Sequence, residues 1–342
     1  MKSLVTPRRL FSVAATITCL GFSAGALAQH ASLKATMLLP GSINDQSWNA
    51  VGYAGLMKIK ELGFDVSYSE NVPAADHVNA MRDYARQGAN LIIGHSGRFL
   101  SAEQRVAVEF PKVQFITAAG SKGYPPNVMS IDFNNVHFGC QLGALMALMS
   151  KTGKIGGVYG LEGLPTTIDQ VGSFRICAKQ ARPGVEVTIL YIKDIEDAAA
   201  AKEAAFSLIS GGADGLVGQL NAAQSGLIQA AKEKNVWVAG RSYEHTAIAP
   251  EQVLTNIIEK WPEMYAAAAL DVKAGKLSGA YKVYGYDTPG STGAELGYAP
   301  DRAFNPRVPE AVVARLKVLQ DELASGKLKI TPTKDDARGG KG

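Results

Sequence analysis

The sequence predicts an α/β protein built as two doubly wound parallel-sheet lobes with a ligand cleft between them. Three observations predict it. Short apolar strands alternate with helical stretches, and strands that are apolar throughout belong to parallel sheets covered on both faces. The alternation runs twice, over residues 36–117 and again over 155–239. No long Pro/Ser linker separates the two series, so the lobes should pack through crossing strands.

In the first series, Thr36-Met37-Leu38-Leu39 reads as a strand. From Asn49 to Leu62, Val51, Ala54, Leu56, Ile59 and Leu62 recur at helical spacing, and Gly63 stops the helix. Phe64 to Tyr68 alternates as a strand, and a helix from Ala75 to Gln87 ends at Gly88. Leu91-Ile92-Ile93 is a short buried strand; a helix from Ser101 runs to Pro111, and a strand follows from Val113 to Thr117. The second series repeats the rhythm: strand Ile155 to Tyr159, helix Ile168 to Ala181, strand Val185 to Tyr191, helix Ala198 to Ser210 closed by Gly211-Gly212. Strand Gly215-Leu216-Val217, helix Ser225 to Glu233 and strand Val236 to Ala239 complete it. Val253-Leu254-Thr255 reads as a crossing strand, and Trp261-Pro262 opens a helix with Pro in its tolerated first turn. Residues 331–342 are polar and read as a disordered tail.

The first 28 residues stand apart. Lys2, Arg8 and Arg9 precede an uncharged run from Leu10 to Leu27, and Ala26-Leu27-Ala28 offers small residues for cleavage before Gln29. This is the pattern of an export signal, and Cys19, inside the apolar run, is poorly placed for lipidation. Removing 28 of 342 residues leaves 314, a length that suits two domains. We divide the chain into the signal at 1–28, an N-terminal lobe of 29–133 plus 256–290, a C-terminal lobe of 134–255 plus 291–330, and the tail. The segment holds three of the basic residues and no acid, so the overall charge of +4 falls to +1. No Arg-rich stripe points to nucleic acid, and no second long apolar run points to a membrane span. Cys140 and Cys177 remain after cleavage; an exported protein can bridge them, but the plainer reading is two buried thiols on helices.

Catalytic and metal motifs do not emerge. Gly94-His95-Ser96-Gly97 lacks the Gly-x-Ser-x-Gly spacing of a nucleophile elbow. Gly157 to Gly163 is not a dinucleotide fingerprint, and no phosphate-binding G-x-x-x-x-G-K-[ST] occurs. The five His are scattered, with no H-x-x-x-H or C-x-x-C. We therefore expect no metal, no cofactor and no enzyme.

Ligands in doubly wound sheets bind beyond the carboxyl ends of the strands, and the residues there are rich in Gly, Ser and Asn. Candidates after the first strand are Asp45, Trp48 and Asn49: the indole can stack on a flat ring while Asp45 and Asn49 read its edge, although Asp45 or Ser47 could equally cap the next helix. His95, Ser96 and Gly120 follow later strands of that series. Tyr159, Asn221, Ser242 and Glu244 occupy the matching positions in the second, and Asn256 and Trp261 follow the crossing strand.

These motifs also carry a family resemblance. Asn44-Asp45-Gln46-Ser47-Trp48-Asn49 is similar to the Asp-x-Ser-Phe-Asn loop of the basic membrane protein family, the purine nucleoside receptor A-like solute receptors of ABC transporters, with Trp for Phe. Phe110-Pro111-Lys112-Val113-Gln114-Phe115 resembles its Tyr-Pro-Asp-Val-x-Phe, and Ser150-Lys151-Thr152-Gly153-Lys154-Ile155-Gly156 its Ser-Lys-Thr-Gly-Lys-Ile-Gly. Gly211-Gly212-Ala213-Asp214, Ala230 to Lys234 and Pro250 to Thr255 also fit. The resemblance implies a type I periplasmic-binding fold with three crossings, Venus-flytrap closure and two aromatics sandwiching a base, Trp48 in the first place. It further implies a periplasmic monomer that takes a small heterocyclic ligand, a purine or nucleobase, and delivers it to an inner-membrane ABC permease. A nucleoside receptor, or a periplasmic sensor for a membrane kinase, would use the same sequence. Two departures weigh against ribose: Ser242 stands where the family has a diol-binding Asp, and Glu259 where it has a Lys, with Asn256 for its Ser. A carboxylate accepts two hydroxyl protons at once, which a Ser hydroxyl does less well.

Overall fold

The computed structural model describes Met1 and residues 32–342, so the expected export signal and Cys19 lie outside the described residues. From Ser32 onward the chain forms one compact unit holding two sheets. The first series supplies β1 (Lys34–Leu38), α1 (Trp48–Glu61), β2 (Asp65–Ser69), α2 (His77–Arg86), β3 (Leu91–Gly94), α3 (Leu100–Glu109), β4 (Gln114–Ala118) and β5 (Val128–Phe133). The chain then enters α4 (Asn135–Met149), β6 (Lys154–Tyr159), α5 (Pro165–Ala181), β7 (Glu186–Tyr191), α6 (Ala198–Ser210), β8 (Gly215–Gln219), α7 (Gln224–Lys234), β9 (Trp237–Ser242) and β10 (Val253–Glu259). It returns with α8 (Trp261–Lys273) and β11 (Tyr281–Tyr284), and finishes with β12 (Ala294–Gly297), α9 (Glu310–Ala324) and β13 (Gly340–Lys341).

The first sheet is ordered β11-β5-β4-β3-β1-β2 and is parallel throughout. The second is ordered β12-β10-β9-β8-β6-β7-β13. Its interior is parallel, while β12 and β13 run antiparallel on its two edges, so this sheet is mixed rather than purely parallel. Interior strands are buried end to end, as in Leu91–Gly94 and Val128–Phe133, whereas the edge strand β2 is half exposed. Both sheets reverse direction of growth at equivalent places, between β1 and β3 and between β6 and β8. Such switch points open a crevice at the carboxyl ends of the strands.

Three expectations need correction. β10 is an interior strand of the second sheet and runs on to Glu259, so residues 256–259 belong with 134–255; the chain crosses at Glu259/Lys260. Backbone pairing, absent from local pattern, set that limit. The other crossings join β5 to α4 and β11 to β12. The tail is ordered: Gly340 and Lys341 pair with β7, Ala337 is buried, and Arg175 Nη2 donates to the Arg338 and Gly340 carbonyls at 2.6 and 2.7 Å. Its polar composition concealed a backbone that covers a sheet edge. Finally, Cys140 and Cys177 form a disulfide between α4 and α5, packed against Leu323 of α9.

Glu103 of α3 is fully buried behind β3 and β4. Its carboxyl accepts from Gly94 N at 3.0 Å and bonds the Thr117 hydroxyl, yet burial pushes its pKa from 4.5 up to about 8. The folded protein therefore holds a proton that the unfolded chain releases. Stability from this group is complete below pH 4.5, declines as pH rises and levels off above about 8. Glu103→Gln should abolish that slope and raise stability at pH 8.5 by up to about 4 kcal/mol. Urea midpoints of both proteins at pH 5 and 8.5 test this; a constant difference between them would contradict it.

Candidate ligand-binding cleft

The aromatic centre of the site is built at the β1/β3 switch point. Asp45 anchors it by accepting from the Ser47, Asn49 and Ala50 amides and from Asn49 Nδ2, all at 2.8–2.9 Å. Asn49 Oδ1 accepts from Gly41 N at 3.1 Å. Both side chains thus hold the loop and the first turn of α1, and neither borders the cleft cavity. The capping alternative describes Asp45 correctly.

Trp48, the first residue of α1, is half-buried and borders the cleft. His95 covers one face of its indole at 4.2 Å and 17°, and Trp261 meets it edge-on at 5.2 Å. The two side chains are locked reciprocally. Trp48 Nε1 donates to the His95 carbonyl at 2.9 Å, and His95 Nε2 donates to the Trp48 carbonyl at 2.8 Å. With Nε2 carrying the proton, Nδ1 accepts from the Tyr265 hydroxyl at 2.6 Å. Burial lowers the His95 pKa to about 3, so the ring is neutral and fully bonded. Gly52 makes this approach possible, since a Cβ there would lie 2.3 Å from His95 Cδ2.

The cavity between the carboxyl ends of the two sheets is narrow, ≈ 60 Å³. Ligand pockets are roughly 300–1,000 Å³, so this gap lies well below their range. A larger cavity of ≈ 830 Å³ lies beside β12 and α9 and contains none of the expected site residues. The smaller one stands at both switch points, where doubly wound sheets take their ligands.

Of the expected residues, Trp48, Ser96, Asn221 and Ser242 come together around this cavity. The others are placed elsewhere for identifiable reasons. His95 lies behind Trp48, as described. Gly120 packs inward, where a Cβ would meet Ser130 Oγ at 2.3 Å, and its neighbour Ala119 faces the cleft instead. Tyr159 is a fully buried core residue. Glu244 is exposed and caps the Thr246 amide. Asn256 is buried, accepting from His245 N at 3.1 Å and donating to Thr246 Oγ1 and the Gly297 carbonyl. Trp261 is buried beneath Trp48.

Sequence reasoning missed several cleft residues: Arg98, Asp132, Thr166, Thr167, Gln219 and Arg241. Gln219 ends β8, Arg241 lies near the end of β9, and Thr166 and Thr167 are in the first turn of α5. Asp132 lies on β5, whose Ser130 and Asp132 broke the apolar pattern. Arg241 crosses beneath the cleft, its Nε 3.1 Å from Glu259 Oε1, its Nη1 bonded to Gln170 Oε1 and its Nη2 3.3 Å from Asn135 Oδ1. Its guanidinium also lies over the Phe133 ring. Glu259 Oε2 accepts from Trp261 Nε1 at 2.6 Å, and Ser242 Oγ donates to Oε1 at 3.2 Å. Burial raises the pKa of Asp132 and Glu259, with Arg241 opposing both shifts. Among the described residues that border the cavity, Trp48 is the sole aromatic; Leu161, Leu164, Ile195 and Leu220 supply the apolar wall of the other lobe. Trp48 therefore has no aromatic counterpart among the described cavity-lining residues of the other lobe.

Residues 32–290 match the family model of PnrA-like ABC transporter substrate-binding proteins, Bmp. The chain belongs to the Bmp family. That family comprises substrate-binding components of ABC transporters, extracellular or periplasmic proteins that pair a small-molecule ligand with a permease. A purine-binding protein of Brucella abortus (strain 2308) is 27% identical over 263 residues, covering 74% of each chain. The transcriptional activator protein med of Bacillus subtilis (strain 168) is 28% identical over 257 residues, 75% of this chain and 80% of that one. Among solved structures, an ABC transporter solute-binding protein from Conexibacter woesei DSM 14684 superposes with a TM-score of 0.68 at 25% identity, covering 88% of this chain and 99% of that one. One from Aeropyrum pernix K1 reaches a TM-score of 0.75 at 18% identity, covering 88% and 94%. Among the described residues no helix is long and apolar enough to cross a membrane.

Proposed function

We propose that this Bmp-family chain is the periplasmic receptor of an ABC importer, exported by a cleaved signal, acting as a monomer and binding a purine or nucleobase-like ring without ribose. The observation that carries this reading is the Trp48 platform. One face of the indole is held by His95, its N–H is bonded, and it borders the cleft opposite an aliphatic wall. A flat heterocycle inserted there would stack on the remaining indole face, with its edge toward Ser96, Asn221 and the polar groups of the second lobe. The purine-binding relative supports the ligand class. Ser242 supports the absence of ribose: its hydroxyl is engaged with Glu259, and no carboxylate stands in its place. Ligand contacts from both lobes would stabilise the closed form and present it to the permease.

Isothermal calorimetry on purified protein freed of bound ligand tests the proposal. Free bases should bind more tightly than the corresponding nucleosides. Trp48→Ala should weaken base binding roughly 5- to 150-fold, the equivalent of about 1–3 kcal/mol for base–aromatic stacking. Unchanged affinity in Trp48→Ala would remove the indole from the site, and a clear preference for nucleosides would restore ribose to the ligand.

A further inference from the structure

One feature of the cleft floor narrows the ligand class, on the condition that the base-stacking reading above holds. Asn135 is a buried carboxamide held between the Asp132 carboxyl and the Arg241 guanidinium. Its Nδ2 donates to Asp132 Oδ2 at 3.0 Å, and its Oδ1 accepts from Arg241 Nη2 at 3.3 Å. The Asp132–Arg241 pair thus already binds an N–H and a C=O carried on a single carbon.

Both partners border the cleft, and neither is saturated. Asp132 takes one further bond, from Phe133 N to Oδ1 at 2.8 Å, and a carboxylate has about four acceptor sites. Arg241 uses one hydrogen of Nη1 on Gln170 and one of Nη2 on Asn135, which leaves one on each nitrogen. Gln219, on β8 of the second sheet beside the β9 strand of Arg241, borders the same cavity with Oε1 buried and without a hydrogen-bond partner. A buried acceptor of this kind is costly unless something donates to it.

The unmet demand is therefore for an N–H and a carbonyl on one ligand edge, plus an N–H toward Gln219. A lactam edge meets the first part. Adenine also sets an N–H beside an acceptor, but its ring nitrogen has one lone pair and can take one of the two spare hydrogens of Arg241. A carbonyl oxygen can take both. We propose that the cleft selects oxopurines over adenine, Asp132 accepting the lactam N–H and Arg241 donating to the lactam oxygen.

Calorimetry with hypoxanthine, 1-methylhypoxanthine and adenine tests this on the intact protein. Hypoxanthine should bind roughly 10- to 150-fold more tightly than either of the others, the range expected for a charge-assisted hydrogen bond. Asp132→Asn should weaken hypoxanthine binding and narrow its advantage over the 1-methyl compound; should that variant not fold, the ligand series decides alone. Adenine binding as tightly as hypoxanthine, with Trp48→Ala still weakening both, would overturn the lactam assignment while leaving base stacking intact. Binding of none of the three would overturn the base-stacking reading and this inference with it.

Discussion

Glu259→Gln should destabilise the protein by about 3–5 kcal/mol, the cost of removing one partner from a buried ion pair. Arg241 and Glu259 are 5% and 0% exposed at their side chains and lie 3.1 Å apart. Gln preserves the shape of the side chain and keeps an oxygen for the Trp261 indole, which Glu259 holds at 2.6 Å. What it removes is the counter-charge. Asp132, joined to Arg241 through Asn135, is then the remaining buried carboxylate beside the guanidinium, and its pKa should fall as it takes over that role. Urea unfolding monitored by Trp fluorescence measures the loss. The double variant Glu259→Gln, Arg241→Gln should lose less than the sum of the single variants, because it strands no charge. Full additivity would show that the pair is not coupled.

Reducing the Cys140–Cys177 bridge should cost about 4 kcal/mol, the chain-entropy value for a loop of this length. The cysteines are 37 residues apart and join α4 to α5. Both are buried, 0% and 2% exposed, so the native protein should resist reductant and lose the bridge only as it unfolds. Replacing both cysteines by Ala should lower the urea midpoint by a matching amount, with the loss visible only against oxidised protein. Equal midpoints for oxidised and reduced protein would contradict the expected contribution.

These two features were legible to different degrees. Cys140 and Cys177 could be named as candidates for a bridge, but pairing required their backbones to come within reach, a distance that residues 37 apart do not reveal. The Arg241–Glu259 pair was half visible, as a departure from the family pattern at 242 and 259. Its partner and its place under the cleft depended on the parallel alignment of β9 and β10, where Arg241 sits opposite Ile257. Asp132 was not legible at all, since β5 did not read as a strand. Trp48 was, because an indole at the start of a helix, just beyond a strand, stands where doubly wound sheets bind ligands.

Read by itself, the sequence determined the elements whose signal is local: strands that are apolar because both faces are covered, helices that recur every 3.6 residues, and loops that follow the strands. It also determined the family, through ordered short motifs. The tertiary structure decided which of those residues face the cleft, and it gave the polar groups of Asp45, Asn49, His95 and Asn256 partners within the protein. The reason is physical. Whether a polar side chain is free for a ligand depends on which donors and acceptors lie within hydrogen-bonding reach of it in space, and those partners came from residues 2 to 170 positions away.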